Sequence, residues 1–277
     1  MKRNITVIKN MVWAVAILVC LLVLFIALIV AAATPYSGEL VRGGPILGAA
    51  RAGGQSAEGE DAAAPEETLG ALLTVPESAD AGQGYIDMLT FLCDSSVVGL
   101  RDYALLSGGT ATTQVWGSTA GNIPAGRLAD CRIRYQAEGV EITPAEAVAK
   151  AQPSRLVIIL GTDGLNEIDE ETFVEGYVSL IRSIQEASPS TIIIVCSVSS
   201  VTTSYNGVDG VNANVIRTVN EWIRTVCMRT GVYYSDAGHA VIDNAGWLDG
   251  DYASANGKSL NTAGLNKILE YLRTHAI

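Results

Sequence analysis

The stretch from Met11 to Ala33 contains no charged residue. A bilayer core is spanned by roughly 20 apolar residues in a helix, so this run is long enough to cross. Such a segment cannot sit on the surface of a water-soluble domain, and it divides the chain before anything else is read. A cleaved leader usually has a shorter apolar core, of about 7–15 residues. The reading is therefore an uncleaved single span, although Ala31–Ala33 would also suit a peptidase. Lys2, Arg3 and Lys9 precede the run, and Arg42 is the first basic residue after it. Positive residues stay on the cytoplasmic side. This predicts residues 1–10 in the cytoplasm, 11–33 in the membrane and the remainder outside the cell.

Residues 34–83 are rich in Ala, Gly, Glu and Pro, as in GAARAGGQSAEGEDAAAPEE, with few aromatic or β-branched residues. Such a composition cannot bury enough apolar surface to offset the entropy of ordering. It is read as a disordered tether reaching on the order of 40 Å root-mean-square. The domain is then expected over 84–277. Its acidity (net charge −11 for the whole chain) argues against nucleic acid, which needs a basic face.

Within the domain, apolar runs alternate with helical patterns. Met88–Leu92, Leu156–Leu160 and Thr191–Val198 read as buried strands, Val232–Tyr234 as a short one, and Arg132–Tyr135 with Val140–Ile142 as a hairpin. Thr143-Pro144-Ala145-Glu146 has the form of a capping box with proline at the first helical position. A helix follows Asp169, with Phe173, Tyr177, Leu180, Ile181 and Ile184 on one face. Another carries Val215, Val219, Trp222, Ile223 and Val226 and ends at Gly231, and a last one runs over 262–274 after Asn261. Strands alternating with helices imply a three-layer α/β/α fold with a mostly parallel sheet. Ligands of such sheets bind beyond the carboxyl ends of the strands.

Three of those ends are polar: Asp94-Ser95-Ser96, Gly161-Thr162-Asp163-Gly164, and the loop Asp249–Asn261. A serine between a strand and a helix can be a nucleophile near helix amides that stabilise an oxyanion. From spacing alone, Ser95 as a helix cap is the simpler reading. Gly257-Lys258-Ser259 mimics the end of a phosphate loop, but Tyr252 stands where that motif needs glycine, so nucleotide is excluded. The cysteines beyond the apolar run, Cys93, Cys131, Cys196 and Cys227, fit no zinc spacing. They read as buried thiols, with a Cys93–Cys131 disulfide open to a domain outside the cell.

From about Phe91 onward the chain resembles the SGNH/GDSL hydrolases, serine esterases of flavodoxin-like α/β/α fold. The first block of that family, strand-Gly-Asp-Ser, is similar to Phe91-Leu92-Cys93-Asp94-Ser95. The Gly-x-Asn block is similar to Gly161-Thr162-Asp163. The closing Asp-Gly-x-His block, followed by Leu-Asn and a helix, is similar to Asn256-Gly257-Lys258-Ser259-Leu260-Asn261. The resemblance implies a nucleophile at Ser95, an oxyanion site near Cys93, Asp94, Gly161 and Asp163, and a base with its orienting acid at positions 259 and 256. Four departures stand out: Cys93 for Gly, Asp163 for the oxyanion Asn, Asn256 for the orienting Asp and Ser259 for the base His.

A serine hydroxyl without a base is a weak nucleophile. The expectation is thus a membrane-anchored, extracytoplasmic pseudoenzyme that binds a cell-envelope ligand such as a glycan, with no cofactor and no metal. The alternative is an active hydrolase of acyl or acetyl esters on envelope glycans or lipids, with Ser95 served by a rebuilt base. His239 is the substitute to consider, because the other histidine, His275, closes the last helix. Asp94, Asp163, Asp249 and Asp251 together offer oxygen ligands to a divalent cation, but capping of turns is the plainer role. Trp116, Trp247, Tyr205 and Tyr252 fall in expected loops, where they can stack on sugars or fill the core.

Overall fold

A computed structural model describes residues 65–166 and 168–277. The membrane segment expected over 11–33, the cytoplasmic 1–10 and the first part of the tether lie outside the described residues. Among the described residues no helix is long and apolar enough to cross a membrane.

The central sheet has five strands: β1 (Leu89–Cys93), β2 (Val115–Trp116), β5 (Arg155–Ile159), β6 (Ile192–Cys196) and β7 (Tyr233–Ser235). They lie in the order β2-β1-β5-β6-β7, and every pairing is parallel. The hairpin of β3 (Ile133–Tyr135) and β4 (Val140–Ile142) forms a separate antiparallel pair. Helices α4 (Pro144–Ala151), α5 (Glu170–Ala187), α6 (Ala213–Thr230) and α1 (Pro65–Leu73) pack in that order as one layer. Helices α2 (Gly82–Asp87), α3 (Gly99–Asp102) and α7 (Thr262–Thr274) pack together as another. Both faces of β5 and β6 are therefore covered, which is why Leu156–Ile159 and Ile193–Cys196 read as continuous apolar runs and are all buried.

The helix boundaries follow local chemistry. Thr143 and Glu146 form the reciprocal capping box of α4. The Asp169 carboxylate accepts from the Thr172 amide at 2.7 Å to start α5. Asn212 caps α6, which ends at Gly231 in the left-handed region (φ 69°). Asn261 accepts from Gly264 N at 3.0 Å to start α7.

Three expectations are corrected. The tether does not run to residue 83: α1 packs on α6, Thr74 pairs in parallel with Tyr234, and Val75 N donates to Tyr234 O at 2.8 Å. Leu73-Thr74-Val75 is a short apolar run inside a polar composition, and it covers the β7 edge that would otherwise present unpaired amides. Met88 caps the end of α2, so β1 starts one residue later. Trp116 is not in a loop but in β2, fully buried and edge-on to Tyr135 at 6.1 Å. Cys93 and Cys131 are unbridged, and all four described cysteines are buried thiols. Burial raises each thiol pKa, to about 12 for Cys131 and Cys196.

Candidate active site

The site is assembled at the carboxyl ends of β1 and β5. Asp94 follows β1 and is buried. One of its oxygens accepts from Gly161 N (3.0 Å), Thr162 N (2.8 Å) and Thr162 Oγ1 (2.9 Å). The other accepts from Ser96 N (3.0 Å) and Ser96 Oγ (2.6 Å). Five donors on one carboxylate tie the two strand ends together. Gly161 has φ 135°, and a Cβ there would lie 3.3 Å from Val219 Cγ1, so only glycine presents this amide without strain. Burial, and then the charge of nearby Asp163, raise the Asp94 pKa above the ordinary carboxylate value; its bonds to Ser96 and Thr162 act the other way.

Ser95 does not cap a helix. The next helix, α3, starts at Gly99 after Val98, with no side-chain cap. Its hydroxyl instead donates to Asp163 Oδ1 at 2.5 Å. Lys258 Nζ approaches the same oxygen at 2.6 Å. Asp163 Oδ2 accepts from two main-chain amides, Ser95 N and Ile123 N, both at 3.1 Å. The Asp163 side chain is 4% exposed and that of Lys258 16%. Two converging amides beside a serine hydroxyl are the donor set that stabilises a tetrahedral oxyanion. Here the protein's own carboxylate sits on them, and its charge is matched by Lys258.

The loop that carries Lys258 is held by Asn256. Its Oδ1 accepts from Lys258 N (3.0 Å) and Ser259 N (2.9 Å), and its Nδ2 donates to Ser259 Oγ (3.0 Å). Ser259 Oγ donates to Ser95 O at 3.3 Å, and Leu260 N donates to Ser96 O at 3.1 Å. Gly257 lies in the left-handed region (φ 73°), and a Cβ there would come within 2.5 Å of Thr202 Oγ1. Positions 256 and 259, expected to hold the orienting acid and the base, thus stand beside Ser95, but they carry an amide and a hydroxyl. Cys93 lies at the end of β1 with its thiol buried in the core.

His239 is elsewhere. It lies on a 3-10 turn, Ala237–Val241, that follows β7, and it lines a cavity with Trp247. Ser95 lines a different cavity of about 680 Å³ with Asn256 and Ser259. His275 stacks on Tyr271 with ring centroids 3.7 Å apart. No histidine therefore lines the Ser95 cavity. Asp249 accepts from the Asp251 amide at 2.9 Å in a turn. Among the described residues no group of three His, Cys, Asp or Glu side chains converges on a metal-sized site.

Two participants were not picked out from sequence. The Ile123 contribution is a main-chain amide, which residue type does not advertise. Lys258 lies inside the closing block, and the one available signal was its charge, opposite to that of Asp163.

A parallel sheet between helical layers, with a serine and converging amides at its carboxyl edge, defines the SGNH class of α/β/α fold. The chain belongs to the GDSL-like lipase/acylhydrolase family, whose family model matches residues 107–260. The match begins after Ser95, so it does not include the altered first block. No curated protein is a significant match to the chain. Among solved structures, a protein described as a candidate platelet activating factor from Streptococcus pneumonia aligns with a TM-score of 0.51 and 16% identity, over 75% of this chain and 89% of that one. A GDSL-like lipase from Bacteroides thetaiotaomicron aligns with a TM-score of 0.47 and 15% identity, over 74% and 92%. At 16% identity the first of these shows a likeness of fold alone.

Proposed function

We propose that this protein is a membrane-anchored, extracytoplasmic pseudoenzyme, held by residues 11–33, whose Ser95 face binds a cell-envelope ligand and does not cleave it. One observation carries the reading: the Asp163 carboxylate accepts both main-chain amides on which an ester's developing oxyanion would have to sit. Negative charge already occupies the place where catalysis must create it. The remaining losses add to this. Removing the base of a serine triad costs about 10⁶ in turnover in a well-studied protease. Losing one oxyanion donor costs about 10²–10³. The Ser95 cavity is lined by hydroxyls and amides of Ser254, Ser259, Asn256 and Asn261, which suits a hydroxyl-rich ligand such as a glycan.

A second reading has its own support. The 2.5 Å bond from Ser95 Oγ to Asp163 Oδ1 gives the hydroxyl a carboxylate acceptor, as in an esterase with a rebuilt base. That base would serve only if its other oxygen released the amides to substrate. Hydrolysis of p-nitrophenyl acetate by the purified full chain, beside Ser95→Ala, separates the two. Equal background rates are expected. A rate that disappears with Ser95→Ala overturns the pseudoenzyme reading in favour of the rebuilt esterase.

A further inference from the structure

A second cavity, of about 510 Å³, opens between the carboxyl ends of β6 and β7 and the first turns of α6. It is distinct from the Ser95 cleft, with which it shares no lining residue. Both of its carboxylates stand near Arg224. Asp236 accepts from the Tyr234 hydroxyl at 3.0 Å and faces Arg224 at 3.6 Å, and Glu221 lies 4.0 Å from Arg224. Arg224 is also stacked over the Tyr234 ring at 4.0 Å.

The groups left over are donors. Arg217 spends one bond on Asn214 Oδ1 (2.9 Å) and makes no ion pair among the described residues. The His239 ring and the indole N–H of half-buried Trp247 make no hydrogen bond within the described chain, although both residues line the cavity. An aromatic ring, a guanidinium without an ion pair among the described residues and further N–H donors, all lining one cavity, are complementary to a pyranose that bears a carboxylate. The ring stacks on the indole, and a planar carboxylate matches the guanidinium fork.

We infer that this cavity is a binding site for acidic saccharides, with Trp247 as the stacking platform, Arg217 as the carboxylate clamp and His239 as an additional donor. It would take a uronic-acid type of sugar, whereas a neutral glycan of the same size would leave the guanidinium unanswered.

The test is calorimetric titration of the full chain with tri-galacturonic acid and, in parallel, with its methyl ester, which keeps the rings and removes the charge. Saturable binding of the acid, at least tenfold tighter than of the ester, is expected. Arg217→Ala should weaken it at least tenfold. Trp247→Ala should do the same, whereas Trp247→Phe, which keeps a stacking face and the packing, should stay within about threefold. Arg134→Ala, an equal charge change on the β3 strand, should leave affinity unchanged. Equal affinity for acid and ester overturns the inference, as does no binding of either. Binding that survives both Arg217→Ala and Trp247→Ala overturns it as well.

Discussion

If Asp163 is the buried ionic hub of the Ser95 site, replacing it with alanine has a cost that can be worked from the structure. The substitution strands Lys258, 16% exposed and without another carboxylate partner among the described residues, and frees two amides and a hydroxyl that had pointed at Asp163. Breaking a buried ion pair from one side costs about 3–5 kcal/mol. Lys258 retains some access to water, which places the expectation near the lower end, about 3 kcal/mol. For a domain of this size that is a fall in Tm of about 6–12 °C. Removing both charges in Asp163→Ala/Lys258→Met should cost less than the sum of the single changes, by at least about 1.5 kcal/mol, since the two groups share one interaction. The vacated seat also makes a specific forecast. Acetate should re-enter between Ser95 N, Ile123 N and Lys258 and stabilise Asp163→Ala by about 1.4 kcal/mol at a tenfold excess over its Kd. Thermal unfolding of the four proteins, with and without acetate, against sodium chloride at equal ionic strength, is the assay. A loss below about 1 kcal/mol for Asp163→Ala would refute the hub, and so would an acetate effect no larger than that of chloride.

Three further outcomes are expected. Restoring three of the four family residues at once, as Asp163→Asn, Asn256→Asp and Ser259→His, should raise acetyl-ester hydrolysis at least about 10²-fold over the parent chain and should do so only while Ser95 is present, because a donor and a base are regained together. Asp94 has a raised pKa in the folded state, so folding takes up a proton there: its contribution is fully present below the unfolded carboxylate pKa and is lost as pH rises through the raised folded value. The Tm difference between the parent and Asp94→Asn should therefore shift against the parent across that window and be flat on either side of it. The four described thiols are buried and their pKa values raised, so a Cys20→Ser variant should take up no iodoacetamide at pH 8 until it unfolds, and rapid labelling of the native protein would contradict the packing.

Much of the scaffold can be read along the chain, because its causes are local. The capping box Thr143–Glu146, the Asp169 and Asn261 caps and the Gly231 stop each involve residues within a few positions of one another. The apolar runs of β5 and β6, short and set between helical patterns, announce strands covered on both faces, since a sheet with one wet face would alternate. The order of the blocks, read from the resemblance, also puts residues 95, 163, 256 and 259 near one another. Local pattern failed where an element owes its existence to a distant partner. Val115–Trp116 is too short to signal a strand and exists because β1 offers it an edge. Leu73–Val75 lies in a disorder-like composition and is ordered by pairing with Tyr234.

The chemical state of the site belongs to the tertiary structure. Sequence alone shows that a histidine and an asparagine are missing from the expected places and that an aspartate stands in for one of them. It does not show that Ile123 and Ser95 aim their amides at that aspartate, or that Lys258, 95 positions away in sequence, lies against it. Hydrogen bonding and charge pairing act over about 3 Å in space, and which groups meet at that distance is decided only when the sheet brings the strand ends together.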